Sequence, residues 1–273
     1  MSIRSEADFT ALPNDRPLAP LPVSQTARHV VGVLLLHAGD YMRLALVPVL
    51  IAFALTAAAL SLDVGMWLRF FTMGVNLYLL IWFSGAIFRL LLRGPGPELQ
   101  RPLPNWGPAD GRLALRGLGL MGLVMLATMP ASMLFGSLGG GIGPEGPQAG
   151  AWMLGPLVVA AVVGLGLSFT LPAAALGKGY SYKRSWQEAK GALLQLFGLF
   201  ILIVLPVDLI IALLDLLLLR LQLATNLVIP RAAVGTAANY LSVALATTVL
   251  AVAFAKRTGW HVPHQGAVQG QGA

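Results

Sequence analysis

Two carboxylates, Asp208 and Asp215, stand seven residues apart inside the apolar run GLFILIVLPVDLIIALLDLLLL. Seven residues is close to two helical turns, so a helix carries both on one face. Arg69 and Asn76 repeat that spacing in a second apolar run, and Asn239 lies in a third. A charged group at the centre of a membrane helix costs about 2.5 to 3.5 kcal/mol on insertion scales, so each is a candidate for ion or solute binding. One expectation is therefore a polar pocket facing the outer side, lined by Arg69, Asn76, Asp208, Asp215 and Asn239. A structural expectation competes with it. As a single helix, residues 191–219 would extend about 43 Å at 1.5 Å per residue, more than the hydrocarbon layer requires. The part after Pro206 would then lie along the membrane surface, leaving both aspartates in water or headgroups, or paired with Arg69 or Arg220. The structural expectation carries more weight.

No arrangement that would support catalysis accompanies these residues. The four histidines, His29, His37, His261 and His264, lie outside the apolar runs, which excludes an intramembrane Ser-His dyad. No His-Glu-x-x-His motif occurs, and two aspartates on one helix cannot face each other as an aspartyl protease requires. The glycine-rich residues 139–143 lack the Lys-Ser/Thr of a phosphate cradle, so they read as an outer loop. His261-Val-Pro-His264 precedes a Gln/Gly tail and reads as disordered, and His37 with Asp40 reads as part of a solvated interfacial helix. The absence of cysteine removes thiolate nucleophiles, thiolate metal sites and disulfides. No cofactor, metal or enzymatic activity is expected.

What must position these residues is a set of membrane helices. Of the 273 residues 57% are hydrophobic and 11% charged, and the mean hydropathy is +0.77. That balance is far from that of water-soluble domains. Six stretches free of Asp, Glu, Lys, Arg and His approach or exceed the ~20 residues needed to cross a bilayer. They cover residues 44–62, 70–88, 117–135, 151–177, 191–207 and 232–255. None shows the alternation of a β-barrel strand. The expected fold is all-α: a polytopic bundle of six transmembrane helices arranged as three hairpins, with interfacial amphipathic segments. Residues 1–24 and 258–273 are expected to be mobile tails around a membrane domain of residues 25–257, and no cleavable signal peptide is apparent.

The net charge of +7 follows membrane topology and does not form a nucleic-acid surface, because the cations are scattered between apolar runs. With both ends inside, fifteen of the eighteen Lys and Arg fall on the cytoplasmic side; Arg69, Arg220 and Arg231 fall outside. Pro48, Pro130 and Pro206 fall within spans one, three and five. Glycines 117, 119 and 122 of span three and 164 and 166 of span four suit close helix packing.

Between spans four and five the sequence reads LPAAALGKGYSYKRSWQEAKGALLQLFG. Ser185 and Glu188 fit a capping box, and Tyr182, Trp186, Ala189 and Leu193 share a face opposite Lys183, Gln187 and Lys190. This predicts an interfacial helix with Trp186 at headgroup level and Lys183 and Lys190 toward anionic lipid. Leu171, Pro172, Ser185, Trp186 and Gly191 give this segment its resemblance to a group of bacterial six-helix inner-membrane proteins. That group is related to the membrane domain preceding some glycerophosphodiester phosphodiesterases. The resemblance implies a six-helix fold and no activity. The expected role is a non-enzymatic accessory or scaffold component of the bacterial inner membrane, working with lipid or a membrane-protein partner. A small-solute permease using the outer polar cluster is the alternative.

Overall fold

A computed structural model describes residues 20–61, 65–96, 99, 106–138, 149–222 and 228–260. Residues 139–143 and 261–264, and most of both expected tails, lie outside the described residues. The described residues form nine helices and no strand: α1 (Val23–Leu36), α2 (Ala38–Ser61), α3 (Met66–Arg93), α4 (Pro108–Leu138), α5 (Ala149–Leu167), α6 (Thr170–Ala175), α7 (Tyr182–Lys190), α8 (Leu193–Gln222) and α9 (Val228–Thr258). Six segments are long and apolar enough to cross a membrane: α2, α3, α4, α5 with α6, α8 and α9. In hydrocarbon each backbone polar group must be satisfied within its own segment, which makes the helix the available form for such sequences. The fold is a polytopic helical bundle of three hairpins, α2/α3, α4/α5 and α8/α9.

Several helices extend past their expected ends, and two spans need a larger correction. First, α8 does not stop or turn at Pro206; it is one helix of 30 residues from Leu193 to Gln222. Proline removes one backbone bond, which a membrane helix tolerates when neighbours support it, and α9 packs along α8. Second, the fourth span is broken at Ser168–Phe169. The hydroxyls of Ser168 and Thr170 bond back to the carbonyls of Leu165 and Leu167, at 2.8 and 2.7 Å, and compete with the helical ladder.

α6 ends in a Schellman turn. Lys178 N–H bonds the Ala173 carbonyl and Gly177 N–H bonds that of Ala174, with Gly177 at φ +77°, a conformation suited to glycine. The α7 cap is Ser181, whose hydroxyl accepts from Arg184 N–H at 3.2 Å, and so the expected Ser185–Glu188 box does not form. Ser185 is buried and donates instead to the Gly166 carbonyl of α5 at 3.1 Å. Glu188 receives Tyr180 and Arg184.

α9 is the central element, packed by α1, α2, α3, α6 and α8, whereas α4 leaves most of its apolar surface exposed. The best-packed core lies at the end of the bundle where α3, α6, α7 and α9 finish. There Leu21, Phe88, Phe169, Leu196 and Phe254 are all nearly inaccessible. The described part of the expected amino-terminal tail is thus packed: Leu21 is buried and Val23 begins α1. Helix C-termini leave carbonyls without partners, and side chains from other helices supply donors at this end. Trp260 bonds the Leu92 carbonyl at 2.7 Å, Arg257 bonds that of Glu188 at 3.0 Å, and Arg93 bonds that of Leu176. The cations also complement the helix dipoles.

α1 lies in the groove between α8 and α9 with Val30 fully buried against Leu199 and Val249. Lys256 donates to the Thr26 hydroxyl at 3.3 Å. Partial desolvation on the exposed side of α1, and then the charge of Lys256, hold the His29 imidazole below its usual 6.5. A histidine whose pKa is lowered by folding favours the docked state above pH 6.5 and ceases to do so as pH falls through its folded value. Deuterium exchange in α1, corrected for intrinsic rates, is therefore expected to rise between pH 7.5 and 5.5. A His29→Gln variant should lose that dependence; an unchanged pH profile in the variant would show that His29 is not its source.

Candidate polar cavity between α2, α3, α8 and α9

In a helix apolar on every side, the rare polar residues mark the side that turns away from lipid. α8 follows this rule beyond Pro206: Asp208, Ile211, Asp215 and Leu218 are half-buried, while Leu209, Ile210, Leu213, Leu216 and Leu217 are exposed. On α9 the matching face carries Arg231, Gly235, Asn239 and Ser242, spaced four, four and three residues apart. The helices run antiparallel, so the two aspartates meet opposite ends of this face. Ser242 donates to Asp208. Arg231 grips Asp215 with both arms of its guanidinium, Nε to Oδ1 at 2.9 Å and a terminal nitrogen to Oδ2 at 3.1 Å.

Between these contacts a cavity of about 480 Å³ opens, lined from α2 by Ala52 and Thr56, from α3 by Asn76 and Leu80, and from α8 by Asp215. α9 contributes Arg231, Ala232, Gly235, Thr236, Asn239 and Tyr240. The ion pair forms a rim that remains accessible, with Asp215 43% and Arg231 33% exposed. Nine residues along α9, or about 14 Å at 1.5 Å per residue, separate Arg231 at the rim from Tyr240 at the floor. Tyr240 is only 4% exposed and its ring leans on Phe83 at 5.2 Å. Asn76 donates weakly to Thr56 across 3.5 Å. Two buried polar atoms of lining residues, the Tyr240 hydroxyl and Asn76 Oδ1, have no hydrogen-bond partner among the described residues. Buried polar groups are nearly always satisfied, by protein, water or ligand, so this lining has unused capacity to bind a polar guest.

Of the five residues expected to share a pocket, the structure brings together Asn76, Asp215 and Asn239. Asp208 sits beyond the lining on Ser242, and Arg69 is exposed on the first turn of α3, away from the lining. The expected partners of Asp215, Arg69 or Arg220, are replaced by Arg231. Sequence reasoning left Arg231 in an outer connection because the sixth span was counted from the first residue after it, although Arg231 belongs to α9. The four-four-three spacing from Arg231 to Ser242 was the available signal. Thr56, Thr236 and Tyr240 were missed as well, being ordinary in apolar helices.

At the opposite end, Lys183, Gln187 and Lys190 are exposed as expected, but Trp186 is half-buried with its ring against Gly166. His37 Nδ1 and Asp40 Oδ2 meet at 3.1 Å at the α1–α2 elbow. No group of three or more His, Asp or Glu side chains suited to a metal occurs among the described residues. Comparison with protein-family models, curated proteins and solved structures gives no match.

Proposed function

We propose that this protein is a multi-pass component of the bacterial inner membrane that admits a small polar solute to the cavity from the outer side, acting by binding and passage and not by catalysis. The observation that carries this reading is the 480 Å³ cavity, whose ion pair, amides and hydroxyls lie beside an α8 surface of bare leucine and isoleucine. In the proposed orientation both chain ends are cytoplasmic. Support comes from the lysines and arginines gathered at one end, which the positive-inside rule assigns to the cytoplasm. It comes also from Leu21 and Phe254, near the two limits of the described chain, which share one core cluster at that end.

The natural absence of cysteine makes the test direct. Single Gly235→Cys and Asn239→Cys variants are expected to react with a membrane-impermeant thiosulfonate added to intact cells. Leu241→Cys, on an exposed flank of α9 outside the cavity lining, should stay unreactive. Silence at both lining positions, with the proteins present at normal levels, would remove the reading.

A second reading, as an accessory or scaffold protein, draws on α7. Its Lys183, Gln187 and Lys190 are exposed, while its other face is fixed by Ser185 and Trp186. A rigid basic surface there suits anionic lipid or an acidic membrane partner, each cation near such lipid contributing about 1 kcal/mol. Native mass spectrometry after mild extraction should then recover a reproducible bound lipid or partner, and repeated recovery of the bare chain would count against it.

A further inference from the structure

We infer that the solute is a small zwitterion of the neutral amino-acid type, its ammonium and carboxylate taken by Asp215 and Arg231; this rests on the solute-binding reading above. Among the described residues the charged side chains of the lining are one carboxylate and one guanidinium, whose charges sum to zero. A guest with net charge would leave an unbalanced charge at a site walled by apolar helices, which is strongly disfavoured. A zwitterion exchanges one ion pair for two and keeps the balance.

Position supports the assignment. The pair spans two helices at the accessible rim, where an ion pair contributes little to stability, so parting it to admit a guest is not prohibitive. Bidentate guanidinium geometry fits a guest carboxylate as it fits Asp215. Deeper in, the described lining residues carry no further formal charge. It offers Asn239, Asn76 Oδ1 and the Tyr240 hydroxyl, the last two being the buried atoms without partners, together with Leu80. This is a surrounding for an uncharged side chain with some capacity for hydrogen bonds. Asn76 Oδ1 accepts only, so it selects a guest with a donor at that depth.

The experiment measures how solutes slow thiosulfonate labelling of Gly235→Cys in the full-length protein. The probes are the neutral L-amino acids, their N-acetyl derivatives (anionic only), their amides (cationic only) and sorbitol. At least one neutral amino acid is expected to slow labelling, whereas its acetylated and amidated forms do so about tenfold less well or worse, from loss of one charged hydrogen-bonded contact. Adding Asp215→Asn or Arg231→Gln should raise the protecting concentration by a similar factor, each variant being compared with its own unprotected labelling rate. Protection by sorbitol or by a singly charged derivative alone would overturn the zwitterion and leave the cavity reading intact. Labelling that no amino acid slows overturns it equally. Absence of labelling altogether sinks the cavity reading itself, so the two failures are distinguishable.

Discussion

Replacing Asp110 by alanine is expected to destabilise the bundle by about 3–5 kcal/mol, the range seen when one partner of a buried ion pair is removed. Arg89 of α3 and Asp110 of α4 meet at 2.7 Å with side chains only 8% and 3% exposed. Alanine would take the Asp110 carboxylate away from the buried guanidinium. The same carboxylate accepts from Gly107 N–H at 2.9 Å, closing the first turn of α4 after Pro108, and that bond would be lost too. Gly85 shows how closely the pair is housed: a β-carbon there would stand 2.9 Å from Asp110 Oδ1 and 3.3 Å from an Arg89 terminal nitrogen. The measurement is the denaturant midpoint in nanodiscs. An Arg89→Met/Asp110→Leu double variant discriminates the cause, since removing both charges in exchange for apolar volume should restore much of the loss. A single variant within about 1 kcal/mol of the parent would mean that the pair is not buried as described.

The existence of the six long helices was legible because hydropathy records the solvent, and the solvent here is hydrocarbon. Their ends were not. Counting residues free of charge stops at Arg89, Arg116 and Asp208, yet the helices run past all three. Arg89 is neutralised by Asp110 and Asp208 is held by Ser242, partners supplied from another helix and invisible to a count along one. Asp208 and Asp215 were recognisable as sharing a face, which follows from helical geometry. That Asp215 would choose Arg231 over Arg69 or Arg220 was not, because three cations close to helix ends in the sequence fit the same local pattern and the packing of α8 on α9 decides among them. Asn76 and Asn239 stood out as amides in apolar runs. Tyr240 did not, since a tyrosine in a membrane helix is unremarkable until its hydroxyl proves buried without a partner.

Glycine packing separates a second pair of readings. Close helix approach was expected at residues 117, 119, 122, 164 and 166, and the structure discriminates among them. A β-carbon at Gly117 or Gly122 would meet nothing within 4 Å, and at Gly164 only Val124 at 3.8 Å. At Gly119 it would strike the Tyr182 hydroxyl, and at Gly166 the ring of Trp186. The two occupied positions both receive α7, so these glycines serve the docking of that short helix more than the α4–α5 contact.

Gly166→Ala is therefore expected to destabilise by about 1–3 kcal/mol, the usual effect of overfilling a packed site. It must first overcome the gain of about 1 kcal/mol that alanine brings to a helix interior. Gly117→Ala and Gly122→Ala, with open space, should show only that gain. The Trp186 ring is rigid, and Ser185 beside it is tied to the Gly166 carbonyl, so α7 has to move as a unit. Faster hydrogen exchange throughout residues 182–190 should accompany the loss of stability. If Trp186 instead anchored α7 at the headgroups, clear of Gly166, alanine would stabilise α5 and leave exchange in α7 unchanged. Trp186→Leu in the Gly166→Ala background completes the test: the smaller side chain relieves the clash, and recovery in the double variant ties the effect to this one contact.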